Sequence, residues 1–135
     1  MIFRESKPED FEYMAIHSMN QTVDRKQEET IDYCYTLEHE DKPLGLGGFR
    51  MITPTVCWCW VDLTEDAVKN LVTSFRTMNH WIETFAGVHG IRRMQAFVRD
   101  EDKYIRLVEH LGFEKESIMK QFYDDDDGLL YRRLF

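Results

Sequence analysis

The side chains that titrate nearest neutrality are five histidines, His17, His39, His80, His89 and His110, and they are scattered without metal-ligand spacing. No metal is therefore expected. Nucleophilic hydrolysis has no better footing, because no Gly-x-Ser-x-Gly elbow occurs and none of Cys34, Cys57 and Cys59 opens a helix. Cys57 and Cys59 would share one face of a strand, where a reduced thiol packs as a small hydrophobe. Gly45, Gly47 and Gly48 could cradle a phosphate if they opened a helix. They lie inside a strand pattern instead, which favours a bulge or a close backbone approach. The run Asp124-Asp125-Asp126-Asp127-Gly128 lacks the alternating ligands of a calcium loop and reads as a solvated hairpin tip, able to steer a cationic amine or a basic partner surface.

The chain that must position these groups has 135 residues, 43% of them hydrophobic, with 17 Lys+Arg against 25 Asp+Glu and a formal net charge of −8. That composition fits one folded domain over residues 1–135. A net negative surface opposes nonspecific phosphate binding, so neither nucleic acid nor an anionic membrane is an expected partner. The start Met1-Ile2-Phe3-Arg4-Glu5 is unlike a secretory signal, and the odd, sparse cysteines suit a reducing compartment; a cytoplasmic location is expected.

Periodicity predicts the elements. Ile2 to Arg4 reads as a short strand. Ser6 and Glu9 then make a capping box, with Pro8 in the first turn of a helix carrying Phe11, Met14, Ala15 and Met19. A second helical piece is expected around Arg25 to Asp32. Three meander strands follow, Tyr33 to Glu40, Leu44 to Ile52 and Thr55 to Val61, the first two joined by a turn at Asp41-Lys42-Pro43. Thr64 should cap one long helix whose stripe is Val68, Leu71, Val72, Phe75, Met78, Ile82, Phe85 and Ala86. A strand from Ile91 to Val98, a helix capped by Asp100 and stopped by Gly112, and a hairpin of Phe113 to Tyr123 with Leu129 to Phe135 complete the chain. The expected class is α/β (α+β), a mixed sheet of about seven strands with about four helices on both faces.

This order, and strings spread over nearly the whole chain, resemble the GNAT superfamily of acyl-CoA-dependent N-acetyltransferases. The strings are Ile2-Phe3-Arg4 with Asp10-Phe11, Lys42-Pro43-Leu44-Gly45-Leu46-Gly47-Gly48-Phe49, Ile91 to Val98, and Glu109-His110-Leu111-Gly112-Phe113. The resemblance implies acetyl-CoA as cofactor, its pantetheine on the fourth strand and its diphosphate at the start of the long helix. Trp60, Val61, Asp62, Leu63, Thr64 and Ala67 are then the cofactor-binding candidates. The family's Arg/Gln-x-x-Gly-x-Gly/Ala cradle is missing, and Asp62, Glu65 and Asp66 put carboxylates where the diphosphate would dock.

The resemblance also places the family's thiolate-protonating Tyr at Val108 and its Asn near Glu101, so Tyr104 is left as the candidate acid. Backbone N–H groups near Trp60 to Asp62 could supply an oxyanion donor, with Glu38, Glu40, Asp62 and His39 as candidate bases. These departures, with Cys57-Trp58-Cys59-Trp60 and Tyr104-Ile105-Arg106, look like the small GNAT-like proteins of tailed bacteriophages, the internal virion protein group among them. That likeness implies a host-cytoplasmic or virion location. Two functions stand open: an N-acetyltransferase with a divergent cofactor site, acting on an amine or a basic protein surface, or a GNAT-fold virion or host-interaction module without catalysis.

Overall fold

The structure, a computed structural model, describes residues 1–19 and 32–135. The elements run β1 (Ile2–Glu5), α1 (Pro8–His17), β2 (Tyr33–His39), β3 (Lys42–Thr53), β4 (Val56–Leu63), α2 (Glu65–Lys69), α3 (Leu71–His89), β5 (Arg93–Arg99), α4 (Asp102–His110), β6 (Glu114–Tyr123) and β7 (Asp126–Leu134). Seven strands form one mixed sheet in the order β1-β2-β3-β4-β5-β7-β6, so the expected α+β class with seven strands holds, with four helices among the described residues. The helical piece expected around Arg25 to Asp32 lies, but for Asp32, outside the described residues. The chain divides into two compact units, Met1–Arg50 with Cys59–Ile82, and Met51–Trp58 with Glu83–Phe135.

In the first unit β1, β2 and β3 are antiparallel neighbours. The β2–β3 turn is Glu40-Asp41, with φ of 51° and 62°, one position before the expected Asp41-Lys42-Pro43. Both residues take the left-handed region that a two-residue hairpin demands. Pro43 falls inside β3, opposite the irregularity between Leu37 and Glu38, where its missing N–H costs least.

The cap of α1 differs from the expected Ser6 and Glu9 box. Lys7 is the N-cap residue, and the Asp10 carboxylate accepts its N–H at 2.8 Å. Asp10 is buried at 4% exposure. Arg4 donates to both of its oxygens, at 2.8 and 2.9 Å, and the Thr36 hydroxyl donates at 2.8 Å. Ser6 shares a hydrogen with Thr36 over 2.8 Å, and Arg4 Nε reaches Glu38 at 2.5 Å. One carboxylate thus ties β1, α1 and β2 together. Burial by itself would raise its pKa; the bonds from Arg4, Lys7 and Thr36 outweigh that and hold it below the usual value.

The expected long helix is broken. α2 ends after Lys69, Asn70 takes φ −107° and ψ 38°, and α3 begins at Leu71. The Ser74 hydroxyl donates to the Ala67 carbonyl at 3.0 Å, which gives that carbonyl a partner across the break, and the Asn70 side chain adds a bond to Asp66 O at 3.0 Å. The first part of the predicted stripe accordingly faces solvent: Val68, Leu71 and Val72 are exposed, whereas Met78, Ile82, Phe85 and Ala86 are buried.

In the second unit, Met94, Ala96 and Val98 of β5 are buried, and Phe97 between them is exposed. The period of two is the one a half-covered strand shows. α4 packs against β5. Its N-cap is Glu101, one residue after the expected Asp100. It ends in a Schellman motif: Phe113 N–H bonds Val108 O at 3.2 Å and Gly112 N–H bonds Glu109 O at 3.0 Å, with Gly112 at φ 81°. The β6–β7 turn is Asp124-Asp125, and Asp126, Asp127 and Gly128 belong to β7.

Removing the Asp10 charge should loosen three elements at once. Asp10→Asn is expected to cost about 2–4 kcal/mol in urea unfolding at neutral pH. Since the folded pKa lies below the ordinary 3.8, the stabilisation is fully present above that value and disappears as the pH falls through the lower folded pKa. The wild-type and Asp10→Asn stabilities should therefore converge in acid.

Candidate functional site

The candidate cofactor residues all lie on one stretch of the first unit, from the end of β4 into α2. What brings that stretch against β3 is the absence of side chains. A Cβ on Gly48 would sit 2.3 Å from Trp60 Nε1, and one on Gly45 would sit 2.7 Å from Asp62 O and from the Leu63 side chain. The glycine patch of β3 is thus a close-approach surface, as its place within a strand suggested, and Trp60 fills the space with its indole. In the second unit the parallel register of β4 with β5 is three pairs long, from Val56↔Arg93 to Trp58↔Gln95.

Asp62 is buried at 4% exposure and accepts a short hydrogen bond from the Ser18 hydroxyl. It is turned inward, so it is not one of three carboxylates facing an incoming diphosphate. Two neighbouring contacts join the same elements. Met19 N–H bonds Leu63 O at 2.9 Å, and Ser18 bridges to Thr64. Thr64 is the N-cap of α2: its hydroxyl donates to Leu44 O at 2.9 Å and accepts from Ala67 N–H at 3.4 Å, while its own N–H also bonds Leu44 O. Ala67 is fully buried. Val61 and Leu63 are half-buried. Glu65 and Asp66 remain exposed in the first turn, Asp66 paired with Lys69 at 3.3 Å.

Of the catalytic candidates, Glu38 is paired to Arg4, as described above, and its neighbour His39 has Glu40 at 3.9 Å. Tyr104 belongs to the second unit, half-buried near the start of α4, with the Lys103 ammonium 4.8 Å from its ring centroid. Val108 is buried, and the next residue, Glu109, accepts from the Tyr131 hydroxyl at 3.2 Å. Burial pushes the Cys57 thiol up to about 11, so it is protonated at neutral pH. Among the described residues no group of three or more His, Cys, Asp or Glu could hold a metal ion, and no helix is long and apolar enough to cross a membrane. Sequence reasoning missed Ser18, whose tie to Asp62 spans 44 positions.

No protein-family model matches the chain, and no curated protein does either. Solved structures do. An acetyltransferase described as GNAT family, from Bacillus anthracis, superposes with a TM-score of 0.76 over 98% of this chain and 93% of its own, at 13% identity. An aminoglycoside 6'-N-acetyltransferase from Enterococcus faecium gives 0.79 over 99% and 97%, at 12% identity. Another aminoglycoside 6'-N-acetyltransferase, complexed with coenzyme A, gives 0.78 over 99% and 97%, at 13% identity. The fold is that of the GNAT acetyltransferases. At these identities the likeness is one of fold.

Within this GNAT fold, the residues at the start of α2 do not fit a diphosphate. The stretch has no glycine and no basic side chain, Ala67 N–H is taken by Thr64, and the first turn carries two exposed carboxylates. The Thr64 hydroxyl is spent on the fold. Thr64→Val keeps the shape and removes both hydroxyl bonds, and is expected to cost about 1–2 kcal/mol in chemical denaturation; Thr64→Ser should recover most of it.

Proposed function

We propose that this protein is an acetyltransferase-like protein of the GNAT fold with a divergent donor site, taking an amine or a basic protein surface as acceptor. The observation that carries the reading is the superposition on acetyltransferases over nearly the full length of both chains. Fold alone is an analogy for activity, so the test must act on the site. In this reading backbone N–H groups near Trp60 to Asp62 are the oxyanion donors. Glu38 and Asp62 are poorly placed as bases, because Arg4 and Ser18 already hold their carboxylates. The acidic start of α2 supports a donor gripped by its pantetheine arm rather than its diphosphate.

A second reading is favoured by the same acidic stretch: a GNAT-fold module without catalysis, of the phage virion or host-interaction kind, located in the host cytoplasm or the virion. Calorimetric titration with acetyl-CoA and with S-acetylpantetheine separates the two. A built cradle contributes on the order of 1.5–3 kcal/mol per charge-assisted bond, at least about tenfold in affinity. The divergent-donor reading expects the two thioesters to bind about equally. Acetyl-CoA binding tenfold tighter would show a diphosphate dock after all, and binding of neither would leave the non-catalytic module.

A further inference from the structure

In the second unit the strand register fixes which side chains share a face. β5 and β7 set Gln95 opposite Arg132, Phe97 opposite Leu130 and Arg99 opposite Gly128, while the alternate pairs are Ala96 with Tyr131 and Val98 with Leu129. The alternate pairs are buried on the side of α4, where the Tyr131 hydroxyl bonds Glu109 and Arg133 bonds Leu111 O. The opposite face presents apolar side chains to solvent. Phe97 is 39% exposed, Leu134 61%, and Phe122, which lies over Gly128, 44%. Trp58 of β4 packs on Phe97 with centroids 4.1 Å apart, and Phe97 on Phe122 at 4.6 Å, so the rings hold one another in place as one apolar ridge. A ridge already ordered loses little side-chain freedom when a protein surface covers it.

The charges around the ridge indicate what covers it. At one end Arg93 donates to Glu116 at 3.0 Å, and Arg132 reaches Glu114 and Glu116 at 3.3 and 3.4 Å. At the other end Arg99 meets Asp126 at 3.0 Å. Three arginines and three carboxylates thus cancel within the face, although the chain's net charge is −8. Net charge of one sign keeps copies of a chain apart, and a neutral face is where that repulsion is weakest. The two ends are also complementary to each other. Consider a two-fold axis that crosses β7 at Leu129 and β5 at Val98, a registered pair. It turns the ridge of one copy onto that of the other and sets Arg132 of each opposite Asp126 of its mate, both being three residues from Leu129.

We propose that this chain forms a two-fold homodimer through the open face of β5, β7 and β6, with the Trp58–Phe97–Phe122 ridge at the centre and Arg132 of each copy paired with Asp126 of the other. The arrangement is that of a stable interface, an apolar centre inside a polar rim. It uses residues of the second unit alone and none of the donor-site candidates between Trp60 and Ala67, so its failure and that of the acetyltransferase-like reading are separate results.

The test is sedimentation velocity of the whole chain from low to several hundred micromolar. A monomer–dimer equilibrium is expected, and Phe97→Ala should weaken it about tenfold or more. Arg132→Glu alone and Asp126→Arg alone should each remain monomeric, because each sets like charges against one another at both contacts across the axis. An equal mixture of these two variants should recover the dimer, since only the mixed pair has unlike charges at both contacts. Recovery on mixing requires that both variants are folded. A wild-type chain that stays monomeric throughout the range, a dimer that Phe97→Ala leaves unchanged, single charge variants that dimerise like the wild type, or a mixture that stays monomeric would each overturn the proposal.

Discussion

Between β3 and the end of β4 the chain does without two side chains, and the arrangement of the candidate site follows from that. Gly48 leaves the space that the Trp60 indole occupies, and Gly45 lets the Asp62 carbonyl and the Leu63 side chain come in where a Cβ would clash. With β4 set this close, Thr64 can bond Leu44 O through both its N–H and its hydroxyl. The same placement brings Asp62 against Ser18 and Leu63 O against Met19 N–H at the end of α1. Larger residues in β3 would push β4 away and loosen all of these bonds together, because packed interiors absorb even a methyl poorly.

The acidity of the chain resolves into different kinds of carboxylate once each is placed. Asp10 and Asp62 are buried and bonded, and they join elements distant in sequence. Glu38, Glu114, Glu116, Asp126 and Asp127 pair with cations on adjoining strands, and Glu116 also reaches Arg93 on β5, beyond β7. Exposed pairs of this kind contribute little each, and their main effect is to leave few uncommitted cations along those strands. Glu65 at the start of α2 and Asp124 with Asp125 at the hairpin tip are what remains to face an approaching ligand in these two places. At both places, the start of α2 and the hairpin tip, exposed carboxylates set the local charge negative.

What the sequence made legible was the part governed by local pattern. The period of two in Met94, Ala96 and Val98, the Leu111-Gly112-Phe113 stop and the in-strand glycines each have a short-range physical signature. The cap of α1 did not, since Asp10 is drawn to Lys7 N–H within a cluster that includes Arg4 and Thr36. Nor did the break at Asn70, because Val68, Leu71 and Val72 continue the helical period although the α2–α3 break turns them to solvent. The break rests on a polar bond, Ser74 to Ala67 O, which an apolar stripe cannot register. At the candidate site, the identity of the residues near Thr64 was readable, but the inward turn of Asp62 depends on a serine 44 positions away.

That inward turn bears on how the start of α2 is satisfied. A helix that binds an anion leaves its first N–H groups and the positive end of its dipole to the ligand. Here Thr64 takes the Ala67 N–H, Glu65 and Asp66 set negative charge against the dipole, and the helix runs only five residues before Asn70 ends it. The dipole is small and already answered from within the chain. An arriving diphosphate would have to displace those interactions and face the carboxylates, gaining no basic side chain in return. The divergence from an anion-binding start is therefore built into the cap, the first turn and the helix length together, and no single substitution among them would restore it.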